Sequence, residues 1–297
     1  TTVASSASLT HTGAGNIAIN ATNASAGTLT VDGSGGTGTV KVVGSSMTGK
    51  VTATGSSGAD TLTGGSGSDV LTGNGGGDTL TPGAGSDTLA GGDGNDSYVM
   101  AGNWSTGDSI TDSAGTDSLT ATVVGSITPA ALTGIESMTL VLNGGAVNAT
   151  NISDVTTVNV NGSGTTGGSG VLSNLPSTVT KVNQNMDLDT VSYGYKAGST
   201  NALTLDFDAA TEAVTNASTT IANQGGALTI DGDATLAVDL GSTTAASATS
   251  ITVSAEAAAL DLGNTVATAA TAFTLTDKAG AGGATTIGTL ASSNLQT

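Results

Sequence analysis

Residues 55–99 read GSSGADTLT GGSGSDVLT GNGGGDTLT PGAGSDTLA GGDGNDSYV, five consecutive nonapeptides in one register. Asp60, Asp69, Asp78, Asp87 and Asp96 recur every nine residues. Position one of each unit is Gly55, Gly64, Gly73, Pro82 and Gly91, and position four is Gly58, Gly67, Gly76, Gly85 and Gly94. Two places after each aspartate comes a large apolar residue: Leu62, Leu71, Leu80, Leu89 or Tyr98. One such unit arises by chance in glycine-rich sequence, but five in register mark a solenoid in which each unit is a turn plus a short strand. Pro82 is the main departure from the G-G-x-G-x-D-x-U-x pattern.

The chemistry of that unit points to a hard cation. Ca²⁺ takes six to eight oxygens, partly from carboxylates and partly from backbone carbonyls. Glycines at positions one, two and four are expected to let the backbone take φ > 0 and aim its carbonyls at one point. The aspartate at position six adds charge, and the residue at position eight points inward from a strand. Two nonapeptides make one coil, so an ion between coils uses units n and n+2, pairing Asp60 with Asp78, Asp69 with Asp87, and Asp78 with Asp96. The metal set read from the residues is Asp60, Asp69, Asp78, Asp87 and Asp96 with Gly55, Gly64, Gly67, Gly73, Gly76, Gly85, Gly91 and Gly94. Asp108, Asp112 and Asp117, in what reads as a terminating coil, are expected to close a further site. Asp32 and Asp231 read as solvated turn residues that cap their own backbone. Residues 55–118 hold nine acids and no Lys or Arg, so without a cation this stretch should repel itself.

Working outward, the nine-residue period disappears while the β character persists. Upstream, Ile17 to Ile19, Leu29 to Val31 and Val40 to Val42 alternate as short strands. Downstream, Met138 to Leu142, Val155 to Val160, Leu203 to Leu205, Leu228 to Ile230, Leu236 to Leu240, Ile251 to Val253 and Phe273 to Leu275 do the same. Ala255 to Leu260 is ambiguous between one helical turn and a strand. Such strands suit a parallel β-helix or a sandwich. The β-helix is favoured, because aromatic residues make up only 2% of the chain and cannot wedge two sheets apart. The expected fold is therefore all-β, a right-handed parallel β-helix or β-roll solenoid. Its expected divisions are a β-helical segment over 1–54, the calcium roll with its terminating coil over 55–120, and a β-solenoid region over 121–297.

Composition narrows the function. With 23 acids against five basic residues and a formal charge of −18, the chain should repel nucleic acid and anionic membranes. Cysteine is absent, removing thiolate catalysis and disulfides. His11 is the only histidine, in a segment expected to fray, so a Ser-His-Asp triad and a histidine base lack material. Paired carboxylates remain, but sugar clefts usually present aromatic platforms, and Trp104 is the only tryptophan, better read as a hydrophobic cap on the last coil. The expectation is no enzyme. No run of about 20 apolar residues is present for a membrane helix, and membrane insertion is not expected. The start at Thr1 without Met suggests a segment of something longer, with any export signal outside it.

Residues 55–99 resemble the calcium-binding repeats of the repeats-in-toxin superfamily, proteins exported unfolded by type I secretion. The run Gly115-Thr116-Asp117-Ser118-Leu119, followed by Gly134-Ile135-Glu136-Ser137, is further similar to surface-layer (S-layer) proteins of Gram-negative bacteria. Those resemblances imply Ca²⁺ as cofactor, a secreted protein at the bacterial cell surface, and self-assembly into a two-dimensional lattice. Lipopolysaccharide is the implied anchor, through a part outside this chain. Two other readings stay open: a repeat segment of a large adhesin, and the carrier domain of a secreted toxin or hydrolase. Glu136 reads equally as a structural ligand or a polar strand end.

Overall fold

A computed structural model describes residues 6–21, 26–162, 169–184, 190–207, 214–215, 218–222, 224–232, 237–239, 242–255, 259–261, 263, 265–277, 284–286 and 290–291. Every strand pairing among them is parallel, and the one helical element is a 3₁₀ turn at Ala149–Asn151. Sandwiches are antiparallel, so the parallel ladders decide for the solenoid. The chain divides into two compact units, residues 1–122, 128–138 and 151–154 in the first and the remainder in the second.

The first unit carries strands β1 (Ala7–Thr10), β2 (Ile17–Asn20), β3 (Leu29–Asp32), β4 (Val40–Val43), β5 (Val51–Thr54), β6 (Thr61–Thr63), β7 (Val70–Gly75), β8 (Thr79–Thr81), β9 (Thr88–Asp93), β10 (Ser97–Ala101), β11 (Ser109–Thr111) and β12 (Ser118–Val123). Odd-numbered strands stack into one sheet and even-numbered strands into another, so each coil contributes one strand to each face. Alternation then sorts the side chains. Thr61 and Thr63 face outward while Leu62 between them is fully buried. In register, Val42, Leu62, Leu80, Tyr98 and Leu119 form one inner column, and Ala53, Leu71, Leu89, Ile110 and Leu132 form the other. All ten are at most 1% exposed, and each buried Leu contributes about 1.5–3 kcal/mol relative to exposure. The core is two side chains thick, which is why so few aromatics suffice.

His11 does not fray. Its backbone N–H donates to the Asp32 carbonyl at 2.7 Å, extending the β1 to β3 pairing, and its ring lies against Gly36.

In the second unit, Thr157–Gly162, Lys181–Gln184, Leu203–Asp206, Ala227–Gly232, Ser250–Ala255 and Ala272–Asp277 stack in parallel. From Val214 a further sheet joins, built of Val214–Thr215, Ala237–Asp239, Ala259–Asp261 and Ala284–Thr286, so these coils have three faces. The ambiguous segment begins and ends in strand, at Ala255 and Ala259, and residues 256–258 lie outside the described residues, as do Leu236 and Leu240. Asp231 is not a turn residue. It lies within Ala227–Gly232, in register with Asp206 and Ser254, and its Oδ1 is buried without a hydrogen-bond partner.

Candidate metal centre

Each repeat aspartate sits at the residue before its strand, where the turn enters the sheet. The strands pair coil on coil, so these aspartates form two columns. In the first, the N–H of Val40 donates to Asp60 Oδ1 at 2.5 Å, that of Asp60 to Asp78 Oδ1 at 2.7 Å, that of Asp78 to Asp96 Oδ1 at 2.7 Å, and that of Asp96 to Asp117 Oδ1 at 2.7 Å. The Asp117 N–H then donates to Glu136 Oε2 at 2.7 Å. In the second, the N–H of Val51 donates to Asp69 Oδ1 at 2.6 Å, that of Asp69 to Asp87 Oδ1 at 2.7 Å, and that of Asp87 to Asp108 Oδ1 at 2.9 Å. One oxygen of every rung is thereby locked to the backbone of the coil before it.

The second oxygens differ between ends and middle. Asp60 Oδ2 accepts from the Ser56 N–H at 2.5 Å, Asp69 Oδ2 from Gly65 at 2.7 Å, and Asp108 Oδ2 from Ser105 at 2.7 Å. The Oδ2 atoms of Asp78, Asp87 and Asp96 are buried without any partner, on residues at most 2% exposed. A buried carboxylate oxygen without a donor costs several kcal/mol unless a cation meets it. Burial first, then the neighbouring carboxylates of Asp96 and Asp60, pushes the Asp78 carboxyl up to about 7. Burial, then Asp108 and Asp69, pushes Asp87 to about 6. Asp117 rises to about 6 through burial, then Asp112, Asp96 and Glu136, while burial raises Asp69 and Asp96 as well.

The position-one glycines explain themselves through space rather than φ. Gly55, Gly64, Gly73 and Gly91 all lie outside the left-handed region, contrary to the expectation from sequence. A Cβ on Gly73 would run into Asp78 Oδ2 and the Gly91 carbonyl oxygen. On Gly64 it would meet Asp69 Oδ2 and the Pro82 carbonyl oxygen, and on Gly55 it would meet Asp60 Oδ2 and the Gly73 carbonyl oxygen. Each site therefore brings a carboxylate oxygen and a carbonyl oxygen of the next coil to one point. Pro82 fits this pattern because proline lacks an N–H but keeps its carbonyl. Left-handed backbone falls instead at positions two and four of the last three units, at Asn74, Gly83 and Gly92 and at Gly76 (φ +105°), Gly85 and Gly94, where each glycine also packs on the backbone of the coil before it; Gly67 packs likewise on Gly49 without positive φ.

Two columns separate residues that the sequence groups together. Asp108 ends the second ladder beside Asp87, whereas Asp112 and Asp117 meet Asp96 in the first, their carboxylate oxygens within 4.8 Å of one another. Glu136 is the last rung of the first ladder, a role its position 19 residues after Asp117 does not reveal in a nine-residue repeat. Tyr98 was legible only as an inward apolar residue, yet its hydroxyl accepts from the Gly91 N–H and donates to Asp112 Oδ2, both at 2.6 Å. Trp104 is 6% exposed in the turn before Asp108. Asp32 accepts from the Ser34 N–H and hydroxyl at 3.0 and 2.6 Å, which hold its carboxyl low, as a turn residue should be held.

Upstream of the aspartates the same backbone carries apolar side chains. Val40 and Ile17 stand in the column of Asp60, and Val51 and Leu29 in that of Asp69. A Cβ on Gly33 would meet a Val40 methyl, and one on Gly44 a Val51 methyl, where the repeat turns present Oδ2. Valine fills with carbon the place that aspartate offers to a cation.

RTX calcium-binding nonapeptide repeats match this chain over residues 54–89 and 77–99, with four copies. Among curated proteins and solved structures there is no match. The segment is thus an RTX repeat roll, and the ion that such repeats bind is Ca²⁺. The buried unpartnered oxygens of Asp78, Asp87 and Asp96 fit a divalent cation.

Proposed function

We propose that this protein is an extracellular, non-catalytic structural protein, a segment of a bacterial S-layer whose lattice forms with other copies of itself under calcium control. The observation that carries the calcium control is the ladder of buried carboxylates with unpartnered Oδ2 atoms at Asp78, Asp87 and Asp96. Asp60, Asp69, Asp78, Asp87 and Asp96, with the carbonyls of Gly73, Pro82 and Gly91, would hold the ions, and the bound charge offsets the mutual repulsion of stacked rungs. Where calcium is scarce the roll loses that stabilisation and stays exportable, and outside it orders. The lattice reading is supported by the uniform Thr, Ala, Gly and Val composition and by the G-x-D-x-L and G-I-E-S strands. An adhesin would more often repeat itself at about 100 residues, and a toxin carrier would carry longer nonapeptide blocks.

Electron microscopy of the protein at millimolar calcium tests the proposal. Regular two-dimensional arrays that dissolve in chelator are the expected result. A monodisperse monomer at high protein and calcium concentration would sink the lattice reading and favour the carrier or adhesin.

A further inference from the structure

The roll's last coil departs from the repeat in two residues that meet each other. Register places Gly73 opposite Gly91, and Gly91 opposite Asp112, because Thr72 pairs with Ala90 and Ala90 with Thr111. Where the repeats have glycine at position one, this coil therefore carries a carboxylate. It turns back toward the preceding rung. A Cβ on Gly91 would meet Asp96 Oδ2, Asp112 Oδ2 and the Tyr98 hydroxyl, so these three atoms converge on one point, and a carboxylate oxygen of Asp117 joins those of Asp96 and Asp112 within 4.8 Å. Tyr98 replaces the leucine of position eight, and its hydroxyl bridges the Gly91 N–H and Asp112 Oδ2. Independently of the number of acids, Asp96 Oδ2 is buried without a partner on a residue 2% exposed, and it points at this cluster.

We propose that Asp96, Asp112 and Asp117 form a separate terminal divalent-cation site, with Tyr98 as the positioning residue that holds Asp112, and that this site fills before the repeat sites. The inference rests on reading the ladder as calcium-binding. Calcium affinity rises with the charge of the ligand set, and this site has three carboxylates where a repeat site has two. Tyr98 also orders Asp112 in advance, which lowers the cost of assembling the ligands. The hydroxyl accepts from the Gly91 N–H, so its own proton goes to Asp112 Oδ2.

Calorimetric titration of the chelator-stripped full chain with calcium tests this. One step should appear at about tenfold lower free calcium than the rest. Asp112→Asn should abolish that step and leave the weaker ones, whereas Asp60→Asn should keep it and remove one weaker site. Tyr98→Phe should weaken the tight step alone, a selectivity that a merely structural role would not show. A second readout guards against misfolded variants: terbium titration of the Trp104→Phe protein under tyrosine excitation should sensitise emission with the first ion bound, and adding Tyr98→Phe should remove it. A tight step unchanged in Asp112→Asn, or early terbium emission that survives without Tyr98, overturns the terminal site. Weak steps without a tight one overturn it too, while leaving the calcium reading standing. Absence of all calcium binding would instead refute the reading on which it rests.

Discussion

Asp78→Asn should change sign between metal-free and calcium-loaded protein. The amide keeps the Oδ1 that accepts from the Asp60 N–H at 2.7 Å, so the ladder stays hydrogen-bonded. Without metal, the substitution removes a charge that burial and two flanking carboxylates disfavour, and stability above pH 7 should rise. With calcium the balance reverses. Asp78 faces Asp60 on one side and Asp96 on the other, so it serves two sites, each contributing about 2.7 kcal/mol when free calcium is about a hundred times Kd. The loss should approach about 5 kcal/mol. Asp60 has Val40 beyond it, so Asp60→Asn should lose one site and about 3 kcal/mol. Urea unfolding followed by the fluorescence of the buried Trp104, in chelator and in calcium, measures both increments. Equal calcium increments lost by the two variants would refute the idea that one inner carboxylate serves two sites.

Acid should stabilise the metal-free roll. Asp78 at about 7 and Asp87 and Asp117 at about 6 lie above the ordinary 3.8, so the stability they leave is full below about pH 4 and falls as pH rises through 6 to 7. Urea midpoints in chelator should drop from pH 5 to pH 8, while calcium affinity by calorimetry rises over the same window because protons no longer compete. In chelator, hydrogen exchange should leave the amides of β3, β4 and β5, whose turns are filled by Val40 and Val51, at least about tenfold better protected than those of Asp60, Asp78 and Asp96. Faster or equal exchange in the valine coils would show that they too depend on metal. Gly73→Ala should cost about 1–3 kcal/mol and weaken calcium binding, since its Cβ meets Asp78 Oδ2 and the Gly91 carbonyl. Gly75→Ala, whose nearest neighbour would be at 3.8 Å, should cost less than about 1 kcal/mol by the same unfolding assay.

The nonapeptide made the roll legible from sequence because its coil length is constant. When every coil has 18 residues, position fixes neighbour, so Asp60 over Asp78 and Leu62 over Leu80 follow from counting. Inward and outward faces followed from the period of two. Beyond Asp96 the spacing becomes 21 and then 19 residues, and counting no longer says which residue lies over which. Only the strand pairings put Asp108 in one ladder and Asp117 and Glu136 in the other, with Asp112 opposite Gly91 beside the Asp96 rung, and they alone lift Asp231 out of a turn and into a strand. They likewise place Val40 and Val51 in the aspartate columns, although valine resembles any other strand residue in the sequence. Even the position-one glycines, legible as required, owe their requirement to a neighbour 18 residues away: the space beside them is occupied by a carboxylate and by the next coil's carbonyl, a crowding that exists only once the coils are stacked.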